Sequence, residues 1–212
     1  MMSRTVYVQY GGSYSGPAPQ EFLNFDASPT LRLERLPLIG HFINKNPKRF
    51  PVNVAYGDIT VGPLVQPGTA KGVFCSHVLE HLSKNDCHRA LVNSFLMLKP
   101  GGFFRFVLPD LKVITKNYIS GYIDANQFMN ESGLGLIERQ RGIRGLAKTV
   151  LGNSQHLWLW DEQSMVVALR EAGFTSIRRA SFGDSVDPMF NLVETEGRWK
   201  SALGIECIKT LC

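Results

Sequence analysis

Short apolar runs separated by turn residues set the rhythm of the chain. Val6-Tyr7-Val8 before Gly11-Gly12 predicts a first strand, and Phe22-Leu23-Asn24-Phe25 before Asp26 a second. Val52-Asn53-Val54-Ala55-Tyr56 ends at Gly57-Asp58, and Gly72-Val73-Phe74-Cys75 ends at Ser76-His77. Over residues 83 to 98 the period changes. Cys87, Leu91, Phe95 and Leu98 share one helical face, and Ser83 with Asp86 has the spacing of a capping box. Lys99-Pro100-Gly101-Gly102 predicts a tight turn, because proline presets φ and glycine accepts a positive φ. It feeds Phe103-Phe104-Arg105-Phe106-Val107-Leu108, an apolar run suited to a strand buried on both faces. A second helix is predicted from Asp161, a good N-cap, through Met165 and Leu169 to Ala172, with Gly173 as its stop. Ser176 to Phe182 and Gly204 to Lys209 predict two closing strands.

Seven strands and two clear helices in this order predict a three-layer α/β sheet. Two stretches break the rhythm. Residues 27–50 are punctuated by prolines, and residues 112–156 mix helical spacing with glycines and the basic run Glu138 to Arg144. Both are expected to form a lid over a pocket at the strand ends. The 212 residues fit one domain, 1–212, at about 150 residues per domain with these insertions added. No repeat interrupts it.

Composition narrows the class. Apolar residues make up 44% and charged residues 19%, which excludes a disordered or collagen-like chain. The 23 basic and 18 acidic residues leave +5, enough to tolerate an anionic ligand but too little to argue for nucleic acid. No run of about 20 apolar residues predicts a membrane span, and residues 1–12 lack a signal-peptide pattern. Cys75, Cys87, Cys207 and Cys212 form no C-x-x-C pair, so reduced thiols and a cytoplasmic location are expected.

Open α/β sheets bind ligands at the carboxyl ends of their strands. Here those ends carry Gly11-Gly12, Asp26, Asp58, Ser76-His77 and Pro109-Asp110. A glycine turn lets a ligand approach backbone N–H groups closely. A carboxylate after the second strand can accept both hydroxyls of a ribose, and one after the third can accept from an adenine amino group. One nucleoside would satisfy three consecutive strand ends. Individually, such residues are ordinary turn formers.

Ser76-His77-Val78-Leu79-Glu80-His81-Leu82, followed by Leu98-Lys99-Pro100-Gly101-Gly102-Phe103, resembles the fourth- and fifth-strand region of class I S-adenosylmethionine-dependent methyltransferases. His156-Leu157-Trp158-Leu159-Trp160-Asp161 with Ala172-Gly173-Phe174 is similar to a late segment of the methyltransferase type 11 branch. The resemblance runs from Val6 to Lys209. It implies a Rossmann-like fold with a seven-stranded, mostly parallel sheet whose last strand is antiparallel. It also implies S-adenosylmethionine as methyl donor and S-adenosylhomocysteine as product. Tyr10, Gly11 and Gly12 match the cofactor turn, Asp26 the ribose carboxylate, and Asp58 the adenine-contacting acid with Ile59 beside the ring. Ser76 and His77 match the stretch lining the methionine arm. One departure is Gln9, which stands where the family usually shows a glycine two positions before Gly11. Another is the shortened segment that follows Gly12.

A sulfonium methyl is already activated, so such a site mainly aligns its acceptor. For a hydroxyl acceptor a base is needed, and among His77, His81 and His156 the last is the first choice, with Asp110 a second candidate. For each, a structural role is the plainer reading, with Asp110 capping the next helix. His77-x-x-Glu80-His81 has the form of an inverted zinc peptidase signature, but its place at a strand exit argues against that. Some O-methyltransferases of ubiquinone and small-RNA pathways carry E-x-x-E-H here and bind a divalent metal, and that resemblance would imply His77, Glu80 and His81 as ligands with His156 as a fourth. The plainer expectation is that Glu80 and His81 start a helix and pack on the sheet, so no metal is expected. Trp158, Trp160 and Phe174 are expected in the core. The acceptor is expected to be a small, glycan- or lipid-linked molecule. A non-catalytic binding or scaffold relative is the alternative. Nicotinamide oxidoreduction is weaker, because no G-x-G-x-x-G opens a helix after the first strand. Nothing in the residues sets the oligomeric state.

Overall fold

All seven predicted strands are present: β1 (Val6–Tyr10), β2 (Leu23–Asp26), β3 (Val54–Tyr56), β4 (Ala70–Ser76), β5 (Leu98–Pro109), β6 (Thr175–Ala180) and β7 (Ala202–Ile208). The structure, a computed structural model, describes residues 5–11, 16–36, 49–135 and 155–210. The sheet order is β3-β2-β1-β4-β5-β7-β6. Strands β3, β2, β1, β4 and β5 pair in parallel, and β7 runs antiparallel to both β5 and β6. The strand order reverses between β1 and β4, the switch point where such sheets bind ligands.

Alternation along the strands sorts the two faces. Val8 and Tyr10 of β1, Val73 and Cys75 of β4, and Phe104, Phe106 and Leu108 of β5 all face one core. That core is closed by Cys87, Ala90, Leu91 and Met97 of α2 (Lys84–Met97) and by Met165, Ala168 and Leu169 of α5 (Glu162–Glu171). Both helices start as their sequences predict. Ser83 accepts from the Asp86 N–H, and Asp161 forms a full capping box with Ser164. Gly173, at φ 100°, turns the chain out of α5.

The opposite face differs from the expectation of a strand buried uniformly among apolar residues. Tyr7, Phe22, Phe74, Phe190 and Val193 form its apolar part, with Phe103 packed beside them. Arg105, between Phe104 and Phe106, is fully buried there. Its guanidinium bonds Glu194, Asp184, Glu206 and the Ser181 carbonyl, and lies 4.7 Å from the Trp199 ring. Among the described residues this third layer is the β6–β7 connection, with 3-10 turns at Pro188–Leu192 and Glu196–Arg198. The Arg105 cage pins that connection onto β5.

Of the two predicted lid stretches, residues 29–34 form α1 (Pro29–Glu34), and residues 37–48 lie outside the described residues. The second contains α3 (Leu111–Ile119) and α4 (Ala125–Ser132), with 136–154, including the basic run, outside the described residues. Between β1 and β2 the described residues contain no helix. Side chains hold that crossover instead: Gln9 donates to the Pro17 carbonyl, Asn24 to those of Pro19 and Phe22, and Asn53 to that of Ala18.

Candidate functional site

The cofactor-matched residues do gather at adjacent strand ends. Gly11 leaves β1 at φ 67°, where a side chain is strained, and a Cβ there would overlap Val78. Its N–H donates to the Phe25 carbonyl at 2.8 Å, so the turn leans over the end of β2. Asp26 ends β2 partly buried. Burial raises its carboxyl pKa, offset in part by the Ser28 N–H that it accepts at 2.7 Å. Asp58 follows β3, and its Oδ1 accepts from both the N–H and the hydroxyl of Thr60. Ile59 is buried beside it, with its carbonyl held by Asn93. The Tyr10 ring turns the other way, into the core, where its hydroxyl donates to Ser94, since Ser94 spends its own hydrogen on Ala90. Only the Tyr10 backbone faces the strand end. Gly12 lies outside the described residues.

At the end of β4 a second group of residues meets. Ser76 is clasped by Arg198, whose Nε donates to the Ser76 hydroxyl at 2.7 Å and whose Nη2 donates to the Ser76 carbonyl. Burial lowers the Arg198 pKa, and the charge of Glu80 works against that shift. His77 adopts φ 53°, rare for a side chain of its size, and its N–H reaches across to Val107. His77 Nε2 lies 2.9 Å from the Arg198 carbonyl. A carbonyl only accepts, so this nitrogen carries the proton.

Leu79–His81 forms one 3-10 turn, shorter than the predicted helix start, and it buries Glu80 completely. His81 Nδ1 is 3.0 Å from the Gln155 carbonyl, and His156 Nδ1 is 2.7 Å from the Ser132 carbonyl at the end of α4. By the same reasoning both rings carry their proton on Nδ1, leaving Nε2 as an acceptor. The rings meet edge to face at 4.8 Å. The Glu80 carbonyl accepts from Leu157 and Trp158, which fixes the segment carrying His156 against this turn. Gly133 follows α4 at φ 65°, and a Cβ there would strike the His156 ring.

Asp110 is buried at the end of β5 and is fully engaged. One oxygen caps α3 through the Lys112 N–H, and the other accepts from Arg179 at 2.7 Å. Trp160 and Phe174 are in the core as expected, whereas Trp158 is half exposed beside Lys84. Trp158 lines a groove of about 420 Å³ with Trp160, Val167 and Glu171. None of the cofactor-matched residues lines it. Arg198 and Gly133 were not foreseen, and no local pattern marks either one.

No family model and no curated protein matches the chain. Solved structures do. One chain of the Haloferax volcanii complex between the Trm112 methyltransferase activator and a methyltransferase matches with a TM-score of 0.52 at 13% identity. That match covers 100% of this chain and 85% of the other. Phosphoethanolamine N-methyltransferase 2 of Haemonchus contortus, with phosphomonomethylethanolamine and S-adenosylhomocysteine, matches at 0.51 and 14% identity over 99% of this chain and 50% of its own. The CurJ carbon methyltransferase matches at 0.51 and 13% over 99% and 50%. This chain thus spans about half the length of the latter two. Its sheet order and antiparallel β7 fit the Rossmann-like class I arrangement. The chain has the class I methyltransferase fold. In that fold Gly11, Asp26 and Asp58 stand on three neighbouring strand ends beside the switch point.

Proposed function

We propose that the chain is an S-adenosylmethionine-dependent methyltransferase of the type 11-like branch, working in the cytoplasm on a hydroxyl of a small, glycan- or lipid-linked acceptor. One observation carries the reading. The Gly11 turn, the Asp26 carboxylate and the Asp58 carboxylate stand at the ends of three adjacent strands, β1, β2 and β3, the order in which a nucleoside laid across the sheet edge would meet them. Asp26 takes the ribose hydroxyls; burial raises its carboxyl pKa, and one of its oxygens already accepts the Ser28 N–H. Asp58 takes the adenine amino group through the oxygen that Thr60 leaves free. Ser76 and His77 border the methionine arm. The acceptor sits over the ends of β4 and β5, where His156 is the group that receives or polarises its proton. Asp110, with both oxygens taken, serves there as the cap and Arg179 anchor that shape the acceptor side.

Calorimetric titration with S-adenosylhomocysteine tests the reading. Micromolar binding, weakened at least about tenfold by Asp26→Ala, is expected, since a charge-assisted hydrogen bond contributes about 1.5–3 kcal/mol. Affinity unchanged in Asp26→Ala would remove the ribose assignment. A non-catalytic scaffold is the second reading, favoured by the Gly11 N–H being spent on Phe25 and by Arg198 closing on Ser76. Absence of binding at millimolar ligand would put that reading first.

A further inference from the structure

The groove beside Trp158 is built from two stretches of chain. Residues 158–160 supply its aromatic wall, and α5 with its N-cap supplies most of its polar side chains. The aromatic wall is held in place before anything binds. The Leu157 and Trp158 N–H groups both donate to the Glu80 carbonyl, and the Trp158 and Trp160 rings meet at 6.2 Å. The Lys84 ammonium stands 5.5 Å from the centre of the Trp158 ring. Trp158 is nonetheless 41% exposed, a large apolar surface left to solvent. Trp160 is buried, yet its indole N–H has no hydrogen-bond partner among the described residues. A buried indole N–H normally finds an acceptor, so a residue lining the groove keeps an unused donor.

The polar side chains of the groove divide into spent and unspent. Asp161 and Ser164 are bonded to each other in the capping box. Gln163 and Glu171 make no hydrogen bond to other described residues. Gln163, Val167 and Glu171 follow one another at intervals of four, so an amide, an apolar strip and a carboxylate stand in one row along the helix. With Lys84 the unspent groups are one ammonium, one carboxylate and one amide around an aromatic plate. They carry no net charge and include both donors and acceptors. At about 420 Å³ the groove has the size of a small-molecule site.

A matching ligand has an apolar face for the indole and hydroxyls along its rim. A pyranose ring has both, since its axial C–H bonds form the face and its hydroxyls the edge. A purely apolar ligand would leave Gln163 and Glu171 unpaired. An ion of either sign would meet one like charge for each opposite one.

We propose that this groove binds a saccharide, with one sugar ring stacked on Trp158 and its hydroxyls shared among Gln163, Glu171 and Lys84. What the saccharide is for rests on the methyl-transfer reading. His156 precedes Trp158 by two residues, so at about 3.3–3.6 Å per residue their Cα atoms lie at most about 7 Å apart. A sugar in the groove is then a neighbouring unit of the acceptor whose reacting hydroxyl reaches His156, which selects the glycan-linked class. The groove itself does not rest on that reading.

The test uses the full chain without cofactor and saturation-transfer NMR, with maltotriose, cellotriose, mannotriose and triacetylchitotriose as probes. At least one should bind with a Kd of about 1 mM or tighter, with transfer strongest to the C–H protons of one ring. Trp158→Ala should weaken that binding by more than about tenfold, whereas Trp158→Phe should keep most of it. Should Trp158→Ala not fold, Gln163→Ala and Glu171→Ala, both exposed on α5, decide: each should weaken binding about 3- to 10-fold. No binding of any probe below about 10 mM, equal affinity in wild type and Trp158→Ala, or tighter binding of tetramethylammonium than of every sugar overturns the proposal. Titration of the same preparation with S-adenosylhomocysteine separates the two readings. Sugar binding lost in Trp158→Ala, with no cofactor binding, upholds the groove and rejects methyl transfer; cofactor binding with no sugar binding does the opposite.

Discussion

At the scale of single residues, the strand ends are where side-chain choice is least free. Gly11 needs glycine twice over, for its φ of 67° and for the room that Val78 occupies. Gly11→Ala should therefore lose about 2 kcal/mol or more of stability in urea unfolding, from backbone strain and overlap together. An unchanged midpoint would mean that the turn relaxes freely. Arg105 shows the other extreme, a charge placed inside a sheet. Arg105→Met would strand Glu194 as a buried anion, while Glu206 would keep Arg178. The expected cost is about 3–5 kcal/mol. A loss under 1 kcal/mol in the same unfolding experiment would show that the cage is replaceable. Neither position could be judged from its neighbours in sequence: Arg105 sits in an apolar run, and its partners lie 76 to 101 residues away.

At the scale of elements, the β6–β7 connection is the part that most needs its electrostatics. Asp184 links it to the sheet. Burial would raise the Asp184 pKa, but bonds from Arg178, the Ser181 N–H and Arg105 override that and lower it to about 2. A carboxyl with a depressed folded pKa stabilises above its unfolded value, near 3.8, and loses that contribution as pH falls toward 2. Wild type and Asp184→Asn should therefore differ in Tm at pH 6 and converge between pH 4 and pH 2. A Tm difference that persists at pH 2 would contradict the assignment. Elements with local signals were legible in the sequence: α2 and α5 through their caps and 3.6-residue stripes, and the strands through apolar runs ending at glycine or aspartate. The β6–β7 layer was not. Its hold on the sheet is made by distant charges, and its 3-10 turns leave no periodic stripe.

At the scale of the whole molecule, seven strands were readable in order, and the resemblance around Leu79-Glu80-His81-Leu82 and Leu98-Lys99-Pro100-Gly101-Gly102 supplied their arrangement. The candidate site was readable in part. Gly11, Asp26 and Asp58 each mark a strand exit, so topology alone brings them together. The meeting of His156 with Glu80 and His81 depends on Gly133 and on two backbone bonds to the Glu80 carbonyl, which no pattern announces. The central claim is that the ends of β1 to β4 hold the cofactor. Amide hydrogen exchange with and without S-adenosylhomocysteine tests it most directly. Slowed exchange is predicted in residues 23–28, 56–60 and 76–78, with residues 163–171 unchanged. Protection confined to residues 158–171, around the Trp158 groove, or no protection anywhere, would contradict the account.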